Sequence, residues 1–435
     1  MKRFLLERLQ VWKHDTERKP LLLRGARQVG KSYLVNEFSR GFANCVELNF
    51  EMEPYLAEIF SDSLEPSRLV ERISIAKNAD LKSGETLLFL DEIQAAPQAL
   101  TALRYFHEKM PGLHVIAAGS LIEFALEKTG LPVGRVSSLY LYPLSFREFL
   151  EAAGKEKLGA CLDEHDLNKP LAEVLYRQLL DCFAQYMAVG GMPEAVNTWL
   201  INRDMKKVRR VHNDIIETYR QDFLKYAKKQ QIHHVDKVFA AVPRLLGKKF
   251  VYAQVDQGLK SREIKPALDL LEMAQVAHRV RHSAGNGVPL EGQCNDSLFK
   301  VIFLDIGLSQ ALLGVNDGDW MLNMQRAVSN RGAVVEAFVG QEILAMSDPG
   351  VRRRLFYWVR EKAHAKSEVD YLVEKNDRVI PVEVKSGSTG SLKSLKQFLL
   401  EKPEVQYGVH LSPANFGSYR NIRQIPLVAV WRLSD

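Results

Sequence analysis

The sequence has few cysteines and no long apolar run. Its four cysteines are scattered through 435 residues and no two of them form a C-x-x-C pair, so neither a zinc ribbon nor a disulfide framework is indicated. No stretch approaches the roughly 18 apolar residues that span a bilayer. The opening MKRFLLERLQVWKHD is too charged to contain the apolar core of a signal peptide. We therefore expect a cytoplasmic protein that does not bind a membrane.

Internal repeats and low-complexity segments are also absent from the sequence. A content of 46% hydrophobic and 26% charged residues is typical of folded proteins, and the length predicts about three domains of ordinary size. The net charge is only +6, but residues 201–265 carry 16 Lys or Arg against 7 Asp or Glu. Such a basic block is compatible with phosphate contacts and also with solvated helix faces.

The clearest motif lies near the N-terminus, in LLLRGARQVGKSYLV. Gly25-x-x-x-x-Gly30-Lys31-Ser32 follows a short apolar run and precedes a helix-compatible stretch, which is the context of a phosphate-binding loop. In such a loop the backbone N–H groups close around phosphates, Lys31 supplies a cation, and the Ser32 hydroxyl ligates Mg²⁺. The predicted ATP contacts are Gly25, Ala26, Arg27, Gln28, Val29, Gly30, Lys31, Ser32 and Tyr33.

Two later apolar runs end in polar residues that suit the same site. ETLLFLDEIQ places Asp91 and Glu92 at the carboxyl end of a predicted parallel strand, where α/β sheets present their ligand sites. There Asp91 would hold Mg²⁺ through water, and Glu92 would polarise the attacking water. LHVIAAGS ends in Ser120, which either senses the γ-phosphate or caps the following helix.

Strands and helices alternate over residues 1–150, which predicts a parallel α/β sheet with helices on both faces. Arg135 stands just before the fifth predicted strand, SSLYLYPL. Its place resembles that of the arginine with which AAA-type ATPases reach a neighbouring subunit's nucleotide. The alternative is an ion-paired surface arginine. If Arg135 acts in trans, the protein must form homo-oligomers.

The middle of the chain has the order of a winged helix. HHVDKVFAAVPRLLGKKF and SREIKPALDLLEMAQVA are helical in pattern, and VAHRVRHSAGNGVPL indicates a strand and a turn. In such a fold the second helix would bring Arg262 and Lys265 toward a groove of DNA. Winged helices also serve as protein contacts, so both interpretations stay open here.

A charged hairpin is predicted in SEVDYLVEKNDRVIPVEVKSGS, because Asn376-Asp377 separates two alternating runs. Counting outward from this turn places Asp370 opposite Glu383, with Lys385 on the same face. The other face then consists of Val369, Tyr371, Val373, Ile380, Val382 and Val384. Two close carboxylates favour a hard cation such as Mg²⁺ or Mn²⁺ between them, although E-x-K triplets are also frequent on solvated strands.

Together these segments resemble a group of prokaryotic AAA-like P-loop ATPases whose C-terminal domain has no assigned function. The likeness covers nearly the whole chain and is carried by GARQVGKS, LDEIQ, PLSFREF, GGMPEAV, KVIFLDIGL and the final EVD…IPVEVKSG. It implies three parts, namely an ATPase with its core at 1–150 and a helical lid at 151–205, a winged-helix-like domain at 206–310 and an α/β restriction-endonuclease-like domain at 325–435.

The hairpin also resembles the D…(D/E)-x-K pattern of restriction-endonuclease-like nucleases. Such nucleases have a further acid on an earlier helix, which would be Glu336 in GAVVEAFVGQEIL. The resemblance implies that Glu336, Asp370 and Glu383 hold a metal ion, with Lys385 as the catalytic lysine.

Two functions are compatible with these features. The first is a Mg²⁺-dependent ATPase that acts on DNA, with a metal-dependent nuclease site in its C-terminal domain. The second is an ATP-gated switch or scaffold whose C-terminal domain docks a protein partner without cleaving nucleic acid. A change in assembly size with nucleotide, and no effect of DNA, would distinguish the second from the first.

Overall fold

The structure is a computed structural model that describes residues 1–130, 134–226, 229–315, 318–360, 367–387, 391–433 and 435. Its helices are α1 (Leu5–His14), α2 (Lys31–Ser39), α3 (Pro66–Lys77), α4 (Pro97–Lys109), α5 (Ile122–Thr129), α6 (Phe146–Ala152), α7 (Glu156–Glu164), α8 (Glu173–Val189), α9 (Pro193–Asn202), α10 (Met205–Tyr226), α11 (Lys229–Ala241), α12 (Ser261–Met273), α13 (Ile306–Leu312), α14 (Gly318–Leu322), α15 (Met324–Asn330), α16 (Gly332–Ala345) and α17 (Lys393–Glu401). Its strands are β1 (Leu21–Arg24), β2 (Asn44–Asn49), β3 (Thr86–Asp91), β4 (His114–Gly119), β5 (Ser137–Tyr140), β6 (Ala277–Ser283), β7 (Cys294–Phe303), β8 (Leu355–Val359), β9 (Glu368–Lys375), β10 (Arg378–Val384), β11 (Gly408–Ser412), β12 (Gly417–Tyr419) and β13 (Ile422–Pro426). No helix in these ranges is long and apolar enough to cross a bilayer.

The parallel sheet predicted for the N-terminal part is confirmed. Strands β1 to β5 all run parallel in the order β2-β3-β4-β1-β5, and every residue of β1, β3 and β4 is buried. Apolar strands of this kind are buried on both sides because helices cover both faces of a parallel sheet. The strand order brings the ends of β1, β3 and β4 to one edge, which positions Arg24, Asp91 and Gly119 near each other.

Strands β6 to β13 form a second, mixed sheet in the order β12-β13-β11-β10-β9-β8-β6-β7. The β6–β7 ribbon follows α11 and α12, as expected for the middle part, but β6 also pairs in parallel with β8, with Val280 beside Leu355. The expected border between domains at 206–310 and 325–435 therefore runs through a continuous sheet. Parallel pairing joins strands that are distant in sequence, so no local pattern indicated it.

The predicted hairpin is formed by β9 and β10. Asn376 and Asp377 both have positive φ, 49° and 58°, as a tight two-residue turn requires. Lys375 pairs with Arg378 directly across the turn. The turn geometry and the first part of the register thus follow from the local sequence.

A bulge in β9 overturns the expected division of the hairpin into an apolar and a charged face. Phe356 pairs with Leu372 and Trp358 with Val369, so β9 has one more residue than β8 over this stretch. Val369 consequently packs with Trp358 and Leu372 in a small apolar cluster next to α17, apart from the rest of the expected apolar face. Bulges re-aim side chains, and here the next residue, Asp370, lies beside the buried end of β7.

Candidate functional site

The phosphate-binding loop connects β1 to α2 and requires glycine at two places. Gly30 has a φ of 94°, a conformation that glycine adopts without a steric penalty. A Cβ at Gly25 would lie 2.3 Å from the carbonyl oxygen of Leu141, so only glycine permits this backbone approach. The loop leads directly into the N-terminus of α2, where free N–H groups favour an anion.

Lys31 is the buried cation of this loop. Its ammonium donates hydrogen bonds to the carbonyl oxygens of Gly25 at 3.0 Å and Ala26 at 2.9 Å. Burial lowers the pKa of Lys31 to about 8, although Glu92 and Asp91 act in the opposite direction. A bound phosphate would compete with the two carbonyls for this ammonium and would raise its pKa again.

Ser32 and Asp91 are brought together at the carboxyl edge of the sheet. The Ser32 hydroxyl donates to Asp91 Oδ2 at 2.9 Å, and the same oxygen accepts from Asn49 Nδ2 at 3.3 Å. Burial raises the pKa of Asp91, and the bond from Ser32 opposes this rise. Sequence analysis missed Asn49, which ends β2 directly beside Asp91. The serine and carboxylate oxygens at this point suit Mg²⁺, whereas the amide oxygen of Asn49 accepts from the backbone N–H groups of Glu51 and Met52.

Glu92 follows Asp91 in a left-handed backbone conformation, with φ 50° and ψ 44°. Residues other than glycine are strained there, and such strain is concentrated at functional sites. The side-chain amide of Gln94 donates to Glu92 Oε2 at 2.5 Å. Gln94 in turn lies against Gly119, where a Cβ would be 2.1 Å from the amide oxygen. Gln94, which sequence analysis did not single out, thus holds Glu92 near the end of β4.

Ser120 lies just after β4 and is 6% exposed. Its hydroxyl has no hydrogen-bond partner in the described part of the chain. The helix that follows, α5, has Leu121 as its N-cap and no side-chain cap, so Ser120 does not cap it. Because a buried hydroxyl without a partner is unfavourable, Ser120 is well placed to donate to a ligand.

Arg135 forms an ion pair on the surface of the chain. It is 47% exposed and its Nε lies 2.9 Å from Glu108 Oε1. The same carboxylate oxygen also accepts a hydrogen bond from Arg104 at 3.0 Å. Residues 131–133, which precede Arg135 in the predicted motif, lie outside the described residues. Both interpretations of Arg135 remain compatible with this position.

Arg27 connects the phosphate-binding loop to α10. Its Nη1 donates to Asp222 Oδ1 at 2.6 Å, and its Nη2 donates to Glu51 Oε2 at 3.2 Å. The same helix holds the loop a second time, because the Tyr219 hydroxyl donates to the Arg27 carbonyl oxygen at 2.7 Å. Lys225 of α10 also pairs with Glu51, at 3.1 Å. The side chain of Arg27 is therefore directed to the basic helix.

The GGMP turn before α9 is explained by a buried carboxylate. Asp305 accepts a hydrogen bond from the backbone N–H of Gly191 at 2.6 Å, and a Cβ at Gly190 would lie 2.4 Å from its Oδ1. Burial raises the pKa of Asp305 to about 6. On the other side of this turn, Pro193 packs against the phosphate-binding loop, because a Cβ at Gly30 would lie 3.5 Å from its Cγ. The turn thus joins that loop to the start of α13.

The remaining predicted residues differ in their surroundings. Val29 is buried, and its carbonyl oxygen accepts from Nη1 of Arg3 at 2.9 Å, a contact that sequence analysis missed. Tyr33 is 46% exposed at the start of α2. Arg262 and Lys265 are exposed on the first half of α12.

Lys300 of β7, which sequence analysis also missed, lies among the C-terminal carboxylates. Its ammonium is 2.7 Å from Glu336 Oε1 and 3.8 Å from Asp370 Oδ1, and it pairs with Glu368 as well. The Lys300 side chain is only 2% exposed. Burial lowers its pKa, but the three carboxylates together raise it above the ordinary value. An ammonium therefore lies where the sequence predicted a divalent cation.

The other predicted residues of this cluster are also ion-paired. Lys385 donates to Glu383 Oε1 at 2.5 Å, and Asp370 Oδ2 accepts from the Val384 N–H at 2.7 Å. Burial, reinforced by Glu336 and Glu383, raises the pKa of Asp370 well above its usual range. Across the described ranges, no group of three or more His, Cys, Asp or Glu side chains is arranged to hold a metal ion. The predicted residues are gathered, but as ion pairs.

Three known domains match parts of the chain. Residues 17–150 match an AAA domain, residues 180–319 match a domain of unknown function (DUF8612), and residues 331–430 match another domain of unknown function (DUF4143). No curated protein matches the chain. The AAA match agrees with the parallel sheet and the loop, so the N-terminal part is an AAA-like P-loop domain. The nuclease-like character of the last part stays a prediction.

Several solved structures are distantly similar. The Walker-type ATPase PABY2304 of Pyrococcus abyssi is 15% identical with a TM-score of 0.46, and the match covers 71% of this chain and 94% of that one. The Orc1 protein of Aeropyrum pernix in complex with DNA is 15% identical with a TM-score of 0.28, over 72% and 93% of the two chains. AMPPCP-bound DnaA of Aquifex aeolicus is 10% identical with a TM-score of 0.26, over 62% and 85%. These likenesses are too distant to carry an argument about function.

Proposed function

We propose that this protein is a Mg²⁺-dependent ATPase that acts on DNA, with the nucleotide held by the N-terminal sheet and the DNA held by the C-terminal half. The observation that carries the proposal is the double attachment of the phosphate-binding loop to α10 through Arg27 and Tyr219. Helix α10 lies within residues 201–265, which carry 16 basic against 7 acidic residues. A rearrangement of the loop around ATP would therefore move a basic element, and a basic element is what DNA contacts.

The ATP chemistry is assigned to residues at the carboxyl edge of the sheet. Lys31 and the N–H groups that begin α2 bind the phosphates, while Glu92 orients and polarises the attacking water. Ser120 donates its unpartnered hydroxyl to the γ-phosphate. The strained backbone of Glu92 and its bond from Gln94 support this role, because a general base must be held in a fixed position.

The Mg²⁺ ion suits the donors that surround Asp91. Ser32 and Asp91 would hold it, directly or through water, in place of their present hydrogen bond. When bound, the ion neutralises charge on the phosphate oxygens during transfer. Burial and the resulting rise in the pKa of Asp91 support a site that gains from a bound cation.

For the C-terminal part we propose a nuclease-like fold whose cleavage activity is open to test. The order α16-β8-β9-β10-α17-β11 and the gathering of Glu336, Asp370, Glu383 and Lys385 support this relation. Lys300, however, forms ion pairs with three of the surrounding carboxylates. Because an ammonium takes the position that a divalent cation needs, we derive no cleavage step through Mg²⁺ or Mn²⁺.

The position of Lys300 favours a second candidate function. A buried ion-paired cluster holds elements together and leaves no open position for a substrate phosphate. In this case the protein is an ATP-gated switch or scaffold, and its last domain docks a protein partner. Replacement of Asp370 would then affect folding or docking but no reaction on DNA.

One experiment separates these functions. Supercoiled plasmid is incubated with ATP and Mg²⁺ or Mn²⁺ together with the unaltered protein, Asp370→Ala, Lys31→Ala, or Glu404→Ala as an exposed carboxylate control, and ATP turnover is measured with and without DNA. DNA-dependent turnover that Lys31→Ala abolishes supports the ATPase acting on DNA. If the plasmid is nicked by every protein except Asp370→Ala, the protein also cleaves DNA. Turnover that is indifferent to DNA, with no DNA retained at moderate salt, contradicts the first proposal and favours the switch.

A further inference from the structure

We propose that a groove between α12 and the start of β8 binds the sugar–phosphate backbone of double-stranded DNA. This inference rests on the proposed function and names the surface that holds the DNA. We define the basic groove by the residues that line its two adjoining cavities and carry its charge, which are Lys249, Lys265, Asp269, Glu272, Arg279, Arg281, Asp296, Arg352, Arg353 and Arg354.

The basic groove consists of two adjoining cavities. A cavity of about 210 Å³ lies between the end of α12 and the start of β8. A second cavity of about 750 Å³ lies between the start of α12 and the β6–β7 ribbon. Asp269, Arg279 and Arg281 line both cavities, so the two lie side by side along α12.

Positive charge dominates the basic groove, with seven basic side chains against three acidic ones. Arg279 is neutralised within the fold by Asp269 at 2.5 Å and by Glu272. Arg281 is 3.7 Å from Asp296, which is itself 85% exposed, and so forms only a weak, solvated pair. Arg354 pairs with Glu291, whereas Lys249, Lys265 and Arg352 have no carboxylate partner among the described residues and are available to an external anion.

One buried donor in the smaller cavity lacks a partner. The Nε of Arg353 forms no hydrogen bond with any described residue, although its Nη2 donates to the Glu374 carbonyl oxygen at 3.1 Å. A buried donor without an acceptor is unfavourable. A phosphate oxygen is the acceptor that a guanidinium fork fits best, so this atom points to a phosphate ligand.

The aromatic residues of the basic groove favour a duplex over a single strand. Proteins that hold single strands stack bases on exposed aromatic rings. Here Phe250 and Phe299 are only 3% and 5% exposed, and Arg279 covers the ring of Phe299 at 5.2 Å. The third aromatic residue of the lining, Tyr252, is half-buried and packs edge-on against both rings. The basic groove therefore offers charge to a backbone but few ring faces to bases, which suits a duplex whose bases remain paired.

The basic groove is separate from the C-terminal acidic cluster. Arg281 pairs with Phe299 across the β6–β7 ribbon, and Val280 pairs with Lys300. Neighbouring residues of a strand face opposite sides of a sheet, so Arg281 and Lys300 lie on opposite faces. Lys265 of α12 is on the rim of the basic groove, which includes one of the two DNA contacts predicted from the sequence.

The test compares two triple variants of equal charge loss. Lys249→Gln/Arg281→Gln/Arg352→Gln removes basic-groove cations that make weak contacts, or none, with the described residues. Lys155→Gln/Lys157→Gln/Lys169→Gln removes exposed lysines around α7 and serves as the control. Binding of a labelled duplex of about 30 base pairs is followed by fluorescence anisotropy between about 50 and 200 mM salt. A single-stranded oligonucleotide of the same length is measured in parallel.

We expect the basic-groove variant to bind the duplex roughly 10- to 100-fold more weakly, and the slope of log affinity against log salt to fall by about 2 to 3. The control should keep the affinity and the slope of the unaltered protein. If the triple variant loses its cooperative thermal transition, Arg352→Gln alone replaces it, with an expected slope change of about 1.

Three results would overturn the inference. Unchanged duplex affinity and slope in the basic-groove variant would remove the groove from DNA binding while the DNA function itself stands. An equal loss of affinity in both triple variants would mean that only the overall charge matters. A loss of affinity for the single strand alone would mean that the basic groove binds single strands and not a duplex. Absence of any DNA binding by the unaltered protein, with or without ATP, contradicts the proposed DNA function as well.

Discussion

Glu92 and Asp91 are adjacent carboxylates with different hydrogen-bond partners. Asp91 accepts hydrogen bonds from Ser32, from Asn49 and from the N–H of Glu92. Glu92 accepts from Gln94 through Oε2, which holds its side chain in place. We therefore assign the ion to Asp91 and the activation of water to Glu92.

Replacing Glu92 with Gln tests this division. The neutral amide keeps the shape of the side chain but cannot accept a proton from water, so we expect ATP turnover to fall by roughly 10²- to 10⁴-fold. ATP binding, measured with a fluorescent analogue, should remain. Glu71→Gln on the exposed face of α3 is the control and should turn over ATP normally. Normal phosphate release by Glu92→Gln would show that another group activates the water.

At the scale of elements, α10 is held to the phosphate-binding loop by an ion pair with little solvent. Asp222 is 4% exposed, and burial raises its pKa while Arg27 opposes the rise. Because Arg27 belongs to the loop itself, binding of phosphate and pairing with Asp222 both act on the same short segment. Such a shared element can couple two sites.

We expect Asp222→Asn to weaken the dependence of ATP turnover on DNA. Removal of the carboxylate charge releases Arg27 from α10, and couplings of this kind typically amount to 5- to roughly 150-fold. The measured quantity is the ratio of turnover with and without duplex DNA, which should approach one. Asp214→Asn, at an exposed position of the same helix, should keep the ratio. A full DNA response in Asp222→Asn would exclude this link as the route.

Helix α16 contacts the ATPase domain through a buried carboxyl group. Glu342 is fully buried. Its Oε1 accepts hydrogen bonds from the Phe146 N–H at 2.8 Å and from the Tyr186 hydroxyl at 3.3 Å, whereas its Oε2 has no partner among the described residues. Burial raises the pKa of Glu342 to about 8. The folded protein therefore keeps a proton here that the unfolded chain releases near pH 4.5.

This contact predicts a pH-dependent stability. Between about pH 4.5 and 8 the folded state binds more protons at Glu342 than the unfolded state, so its contribution to the free energy of unfolding falls as pH rises. Glu342→Gln removes the titration, and the free energy of unfolding of the variant relative to the unaltered protein should rise by on the order of 2–4 kcal/mol from pH 5 to 8. The free energy of unfolding of both proteins is measured by urea denaturation at several pH values. Exposed Glu404→Gln should show no such trend, and a constant difference for Glu342→Gln would mean that Glu342 is ionised in the folded protein.

At the scale of the whole molecule, Arg135 is exposed, so its replacement can test whether ATP turnover depends on contact between subunits. Arg135 and Arg104 both pair with the Glu108 carboxylate, so they form a matched pair in which only Arg135 has the place of a subunit-bridging arginine. An arginine that acts in trans contributes about 10³- to 10⁵-fold to phosphoryl transfer in some P-loop enzymes.

If Arg135 acts in trans, turnover per subunit should rise with protein concentration, and Arg135→Ala should lower it by at least roughly tenfold while ATP binding persists. Arg104→Ala should turn over ATP as the unaltered protein does. Turnover and sedimentation are measured over the same concentration range. Concentration-independent turnover, or equal effects of the two alanine variants, would make Arg135 an ordinary surface ion pair.

Local patterns predicted the features that depend on neighbours in sequence. Gly25 and Gly30 fix the loop, the buried run before Asp91 fixes a parallel strand, and Asn376-Asp377 fixes the hairpin turn, because each depends on backbone geometry within a few residues. Asn49, Gln94 and Lys300 were missed for the opposite reason. Each reaches its site through strand order or side-chain packing, and nothing in the residues around it shows which distant group it will meet.

The sequence by itself determined the parallel α/β core, the glycine loop that leads into α2 and the existence of the C-terminal hairpin, since spacing and hydrophobic pattern are sufficient for these. Only the tertiary structure decided that β6 and β8 join the middle and last parts, that a bulge separates Val369 from the rest of the expected apolar face, and that Lys300 is ion-paired within the acidic cluster. Charge pairing in a buried site depends on which strands become neighbours. Strand neighbours are chosen by the packing of the whole chain, and so the chemistry of the last domain could not be read from its own residues.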